Sequence, residues 1–145
     1  MTLTRHVQLK RLPEQTTPRH PRPKGPSPEV VQLVLERDQG CCLACSIELY
    51  GERAFNWSIH HRRGRDGRPD SNAPQNLVLL CGADNVTGCH GWAHQRASES
   101  RPAGYLLSRI ASTDPLTVPI LVANGSRWLY LTADGHHADN PPESP

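Results

Sequence analysis

A chain of 145 residues with 36% hydrophobic side chains and a mean hydropathy of -0.59 has room for one small core, with or without tails. Its 14 prolines and single phenylalanine argue against a large self-sufficient core, and a small core needs a staple such as a metal ion. No apolar run is long enough to span a bilayer and no signal peptide is visible, so a cytoplasmic protein with reduced thiols is expected, and no membrane partner. The net charge of +2 and pI near 8.4 are mildly basic and by themselves identify no partner.

Residues 1–26 read as a disordered, basic, proline-rich arm. Arg5, Lys10, Arg11, Arg19, Arg22 and Lys24 face the single acid Glu14, and five prolines bar a helix interior. Such an arm either follows DNA by phosphate attraction or only solubilises the chain. Ser27-Pro28-Glu29 then opens a helix: Ser caps, Pro suits the first turn, and Glu suits the positive helix end. Val30, Val31, Val34 and Leu35 form its apolar stripe, and Asp38-Gln39-Gly40 ends it. Cys42-Leu43-Ala44-Cys45 is a tight turn presenting two thiolates to one ion. Cys41 is the alternative to Cys42, but a buried apolar role suits it better.

Residues 54–61 read as a strand in which Phe55, Trp57 and Ile59 alternate with polar neighbours. A glycine-containing basic loop follows, in which Arg62, Arg63, Arg65 and Arg68 could grip backbone phosphates or simply be solvated. Asn76 to Leu80 is a short apolar strand, and a helix is predicted from about Gly88 to about Ser100. Trp57 and Trp92 are expected in the core. Apolar runs at 117–122 and 127–131 flank Ala123-Asn124-Gly125-Ser126, a hairpin signal, with Trp128 expected to cover core. Residues 135–145 look polar and frayed.

The window from Cys42 to His94 holds four of the five cysteines and four of the eight histidines. Cys42, Cys45, Cys81 and Cys89 suit a closed structural zinc site, because tetrahedral zinc takes four soft or borderline ligands. His90 and His94 are four apart, so on a helix they share a face and can reach one ion. His60 and His61 are adjacent on a strand and should point to opposite sides, one towards a metal and one towards a substrate phosphate.

The ordered set Ile59-His60-His61-Arg62-Arg63, Pro74-Gln75-Asn76-Leu77-Val78-Leu79-Leu80-Cys81, Gly88-Cys89-His90 and His94 resembles the HNH endonucleases. Within that family it is most similar to the small zinc-stapled proteins of tailed bacteriophages. The resemblance covers about residues 37–100. It implies a small α+β fold built on a ββα-metal (His-Me) finger, spanning residues 27–112. An N-terminal helix belongs to this domain, and a C-terminal β-hairpin at 113–134 packs on it.

By position, His61 is then the general base that deprotonates water. His60, His90 and His94 hold the catalytic cation, Asn76 steadies the hairpin loop and orients the base, and the four cysteines bind zinc. The implied cation is Mg²⁺ or Mn²⁺, although several imidazoles would also accept Ni²⁺ or Zn²⁺. The implied substrate is DNA, cut in one strand or both. The implied partners are the terminase and portal of a phage packaging machine, in the host cytoplasm. Seven residues, Gly82 to Gly88, separate Cys81 from Cys89 where the family usually has two. His90 could therefore join the zinc as a fourth ligand instead. A non-catalytic zinc-ribbon module that binds nucleic acid is the alternative to the nuclease.

Overall fold

The computed structural model describes residues 25–111 and 113–142; the expected basic arm lies almost wholly outside them, as do residues 143–145. Helix α1 (Pro28–Arg37) starts as its sequence dictates: Ser27 Oγ accepts from Val30 N at 3.4 Å, and Pro28 and Glu29 fill the first turn. Strands β1 (Trp57–His61) and β2 (Leu77–Cys81) form an antiparallel pair with Trp57 opposite Cys81 and His61 opposite Leu77. A 3₁₀ turn at Pro74–Asn76 leads into β2. Helices α2 (Gly88–Gln95) and α3 (Ala97–Ser100) follow. A second antiparallel sheet has the order β3 (Ile120–Val122), β4 (Arg127–Leu131), β5 (His137–Ala138). The chain is thus a small α+β protein with few helices and two small antiparallel sheets among the described residues. None of those helices is long and apolar enough to cross a membrane.

Strand β2 is the middle layer. Alternate side chains point to opposite faces of a strand, and both faces of β2 are buried. Leu77 and Leu79 pack with Val34 of α1 and Ile59, while Val78 and Leu80 pack with Ala93, Tyr105, Ile120, Val122, Leu129 and Leu131. This explains an apolar run with no polar alternation. The two-sided core also fixes β1. His60 pairs with Val78, so it shares the face turned towards α2 and the second sheet.

The α1 end is locked by charge. The Arg37 guanidinium is bound to Asp38 at 2.7 Å and donates to the Pro74 and Leu77 carbonyls at 2.8 and 2.6 Å. Asp38 in turn accepts from Leu79 N and from His137 Nε2, tying the helix to β2 and to β5.

Several expectations need correction. The first strand begins at Trp57, because Ala54 takes a left-handed φ of 69° within a turn, and Phe55 lies outside the sheet, 75% exposed. The predicted single helix from Gly88 to Ser100 breaks at Arg96, whose φ and ψ of -111° and 60° are not helical. Trp57 and Trp92 are half-buried against the core, but Trp128 stands 49% exposed. Residues expected to fray from 135 instead supply β5, since Tyr130 and Leu131 pair with Ala138 and His137.

Candidate metal centres

The four cysteines Cys42, Cys45, Cys81 and Cys89 converge, with their sulfurs all within 4.8 Å of one another. Cys45 Sγ and Cys81 Sγ are 3.9 Å apart. Zinc–sulfur bonds of about 2.3 Å at tetrahedral angles place ligand sulfurs about 3.8 Å apart, so the cluster has the dimensions of a closed zinc site rather than of disulfides. The cysteines are all free thiols. Cys42 is drawn down to about 5, first by its hydrogen bond with Cys89, while burial opposes the shift. The same pairing pushes Cys89 up, so the two share one proton. A cluster that already favours a thiolate suits a cation. Cys41 stays outside the cluster, half-exposed rather than buried, with its sulfur on the Gln39 carbonyl.

The long insertion between Cys81 and Cys89 closes into a neck. Gly82 has φ 100°, and a Cβ there would sit 2.0 Å from the Thr87 carbonyl oxygen. Gly88 has φ 58°, and a Cβ there would sit 2.5 Å from the Cys81 carbonyl oxygen. Only glycine lets the two strands of the loop touch this closely. Asp84 Oδ1 accepts from Val86 N, Thr87 N and Thr87 Oγ1 and fills the loop from inside. The insertion therefore returns Cys89 to Cys81, and Cys89 N donates to Cys81 Sγ at 3.4 Å.

The second centre joins His60 of β1 to His90 and His94 of α2. One nitrogen from each lies within 4.8 Å of the others. His90 Nε2 and His94 Nε2 are 3.3 Å apart, in the range of about 3.0–3.4 Å that two imidazoles span when both bind one ion at about 2.1 Å. His60 Nε2 donates to the Tyr105 carbonyl at 2.7 Å, which fixes the tautomer and leaves Nδ1 as the lone-pair nitrogen. That Nδ1 is buried with no hydrogen-bond partner among the described residues, an orphaned acceptor that a cation would satisfy. Burial drives His60 down to about 3 and, with the neighbouring His94, drives His90 down to about 4. Both are therefore neutral at physiological pH, the form that ligates metal. His90 belongs to this histidine cluster and Cys89 to the thiol cluster, so the alternative of His90 as a zinc ligand is set aside.

His61 lines the same cavity, of about 260 Å³, together with His60, His90, His94, Arg65 and Arg109. Although its strand parity is opposite to that of His60, it is the last residue of β1 and reaches the cavity from the rim. Its Nε2 meets Asn72 Oδ1 at 2.9 Å, so Asn72 sets the ring and leaves Nδ1 unprotonated. Burial, partly offset by Asn72, lowers its affinity for a proton. Asn72 is the residue that sequence reasoning missed: a loop asparagine eleven positions from its partner carries no periodic or spacing signal.

Asn76 plays only half of its expected part. It is fully buried, its Oδ1 accepts from Arg63 N at 2.8 Å and its Nδ2 donates to the Ser71 carbonyl at 2.9 Å. It clamps the loop that follows β1, whereas the His61 ring is held by Asn72.

Two of the four expected DNA-gripping arginines are inside the protein. Arg62 is fully buried and donates to the carbonyls of Gly104, Gln75, Pro115 and Val118. Arg63 is 3% exposed and pairs with Asp66 and Asp70. Neither can reach a phosphate. Arg65 is exposed, and Arg68 is half-exposed beside Asp66.

No known protein family, curated protein or solved structure matches the chain.

Proposed function

We propose that this protein is a metal-dependent DNA endonuclease of the HNH type. The observation that carries the reading is the histidine triad of His60, His90 and His94 opening on one cavity with His61, a separate, oriented imidazole. A pure binding module has no use for the second imidazole. The local order supports it too: strand β1 with His60 and His61, strand β2, then α2 with His90 and His94 is the strand–strand–helix plan of a ββα-metal finger.

His60, His90 and His94 would hold the catalytic cation. Three imidazoles with no carboxylate in the cavity lining fit a borderline ion such as Ni²⁺ or Zn²⁺ better than Mg²⁺ or Mn²⁺, which prefer oxygen ligands. A bound cation would supply charge to offset the negative charge that develops on the phosphate and the leaving oxygen. His61 Nδ1 accepts a proton from water as its oxygen bonds to phosphorus; the bond from phosphorus to the ester oxygen breaks, and that oxygen leaves with the electron pair and takes a proton from solvent. Asn72 holds the imidazole in the tautomer that can do this. The second centre, Cys42, Cys45, Cys81 and Cys89, would hold structural zinc and tie the first turn to β2 and α2.

The test is nicking of supercoiled plasmid by the purified protein across divalent cations. His61→Ala is expected to lower the rate by about 10²–10⁴-fold, the usual contribution of a general base, with zinc content unchanged. Equal cleavage by the variant rejects His61 as the base. DNA binding without cleavage under any cation points instead to a non-catalytic zinc-ribbon module.

A further inference from the structure

Six arginines among the described residues fall into two sets. Arg37, Arg62 and Arg63 are buried and fully engaged with carboxylates or carbonyls. Arg53, Arg65 and Arg109 are exposed and face the histidine cluster. Arg65 and Arg109 line the cavity with the four histidines. Arg53 and Arg65 line a second cavity, of about 180 Å³, with Ser58, Ile59, Ala83 and His90. Ile59, Arg65 and His90 line both, so the two cavities adjoin and form one cleft.

Charge points the same way. Arg65 and Arg53 are the cations whose fields reach His61, and Arg109 is the one whose field reaches His94. Arg53 and Arg65 also repel one another. Two acids act against them, Asp66 on His61 and Asp84 on His90, but both are engaged elsewhere. Asp66 is engaged with Arg63, Arg68 and Ser71, and Asp84 is engaged with the backbone of its own loop. Among the described residues no ion pair includes Arg53, Arg65 or Arg109. Like charges gathered on the rim of a cleft with no carboxylate paired to any of them are stabilised by an anion that spans them.

We propose that Arg53, Arg65 and Arg109 form a phosphate track along this cleft, on which successive phosphates of one DNA strand lie to either side of the histidine cluster. Arg53 and Arg109 hold the flanking phosphates, and Arg65 stands at the seam where the two cavities meet. The contacts are to backbone, so they position the strand and read no sequence. The track rests on the nuclease reading for its purpose but not for its measurement.

The test is binding of a short fluorescein-labelled DNA duplex to the full-length, zinc-loaded protein, without added divalent cation, over a series of salt concentrations. Each phosphate contact contributes about 0.9 to the slope of log affinity against log salt. Arg53→Gln and Arg109→Gln are each expected to flatten that slope by about 0.9, and the pair together by about 1.8. Arg127→Gln, which removes an exposed arginine of β4 that lines neither cavity, is expected to leave it unchanged. Slopes in the Arg53 and Arg109 variants equal to the parent overturn the track, even if the parent cleaves plasmid. Flattened slopes in a protein that cleaves nothing uphold the track and remove the nuclease reading instead.

Discussion

Arg62 offers the sharpest test of how the two arginine sets divide. Its side chain is fully buried, and burial, aided by the nearby Arg37, pushes the guanidinium down to about 9, so it stays charged at neutral pH. It meets no carboxylate. It donates instead to the Gly104 and Val118 carbonyls at 2.7 Å and to those of Gln75 and Pro115 at 3.1 Å. Its own backbone closes the join: Arg62 N donates to the Asn76 carbonyl and Leu107 N donates to the Arg62 carbonyl. One side chain therefore ties the end of β1 to three irregular segments. Replacement by Leu keeps some of the packing but leaves four carbonyl oxygens without that donor.

Hydrogen bonds to a charged group contribute about 1.5–3 kcal/mol each, partly cancelled by the cost of desolvating the charge. Here the charge leaves with the side chain, and what stays behind is four neutral carbonyl oxygens, each costing about 1–3 kcal/mol if buried without a partner. With the relief of no longer desolvating the charge set against that, Arg62→Leu should cost about 3–5 kcal/mol, a large share of the roughly 5–15 kcal/mol that holds a domain folded. Urea unfolding of the zinc-loaded protein, followed by tryptophan fluorescence, reads this as a lower midpoint at an unchanged slope. A loss below about 1 kcal/mol, with weakened DNA binding in its place, would refute the argument and return Arg62 to the surface role its sequence suggests.

Two further outcomes test the frame of the fold. Burial pushes the Asp38 carboxyl up, but hydrogen bonds from His137, Arg37 and Leu79 N outweigh it and leave the group below its ordinary value. Its contribution is therefore present above the unfolded value of about 4 and lost as pH falls through the folded one. Asp38→Asn should be less stable at neutral pH and should lack the part of the acid loss that the parent shows below about pH 4; parallel acid limbs would exclude Asp38 as the α1 lock. For the thiol centre, Cys42→Ser should lose the bound zinc and its cooperative unfolding, while Cys41→Ser keeps both. Equal zinc content in the two variants by metal analysis would break the four-thiol assignment.

Elements bounded by local chemistry were legible in the sequence. Ser27-Pro28-Glu29 marks the start of α1 because a cap acts within one turn. The Asn124-Gly125 turn marks the β3–β4 hairpin because both Asn124 and Gly125 take left-handed φ, at 57° and 81°. Strand β5 was not legible. His137 and Ala138 have no strand pattern of their own and are held by pairing with Tyr130 and Leu131, while His137 reaches Asp38 ninety-nine positions away. Phe55 misled for the opposite reason: it fits the period-two pattern with Trp57 and Ile59, but the left-handed Ala54 turns the chain before pairing begins.

The two donor clusters were legible for a different reason: few residue types bind metal, so four thiols and four imidazoles in one window leave little freedom. Their geometry was not, since spacing alone could not show that Gly82 and Gly88 pinch the insertion shut. Arginine has no such scarcity. Arg62, Arg63, Arg65 and Arg68 form one basic run in the sequence, yet the first two turn inward and Arg65 turns out. The difference is made by carbonyls at Gly104, Pro115 and Val118, forty-two to fifty-six positions away, which converge where Arg62 enters. A guanidinium can be buried when a ring of acceptors is waiting for it, and linear charge density carries no information about that ring. The arginines that face the cleft are accordingly scattered, at 53, 65 and 109, and only the fold gathers them beside the histidines.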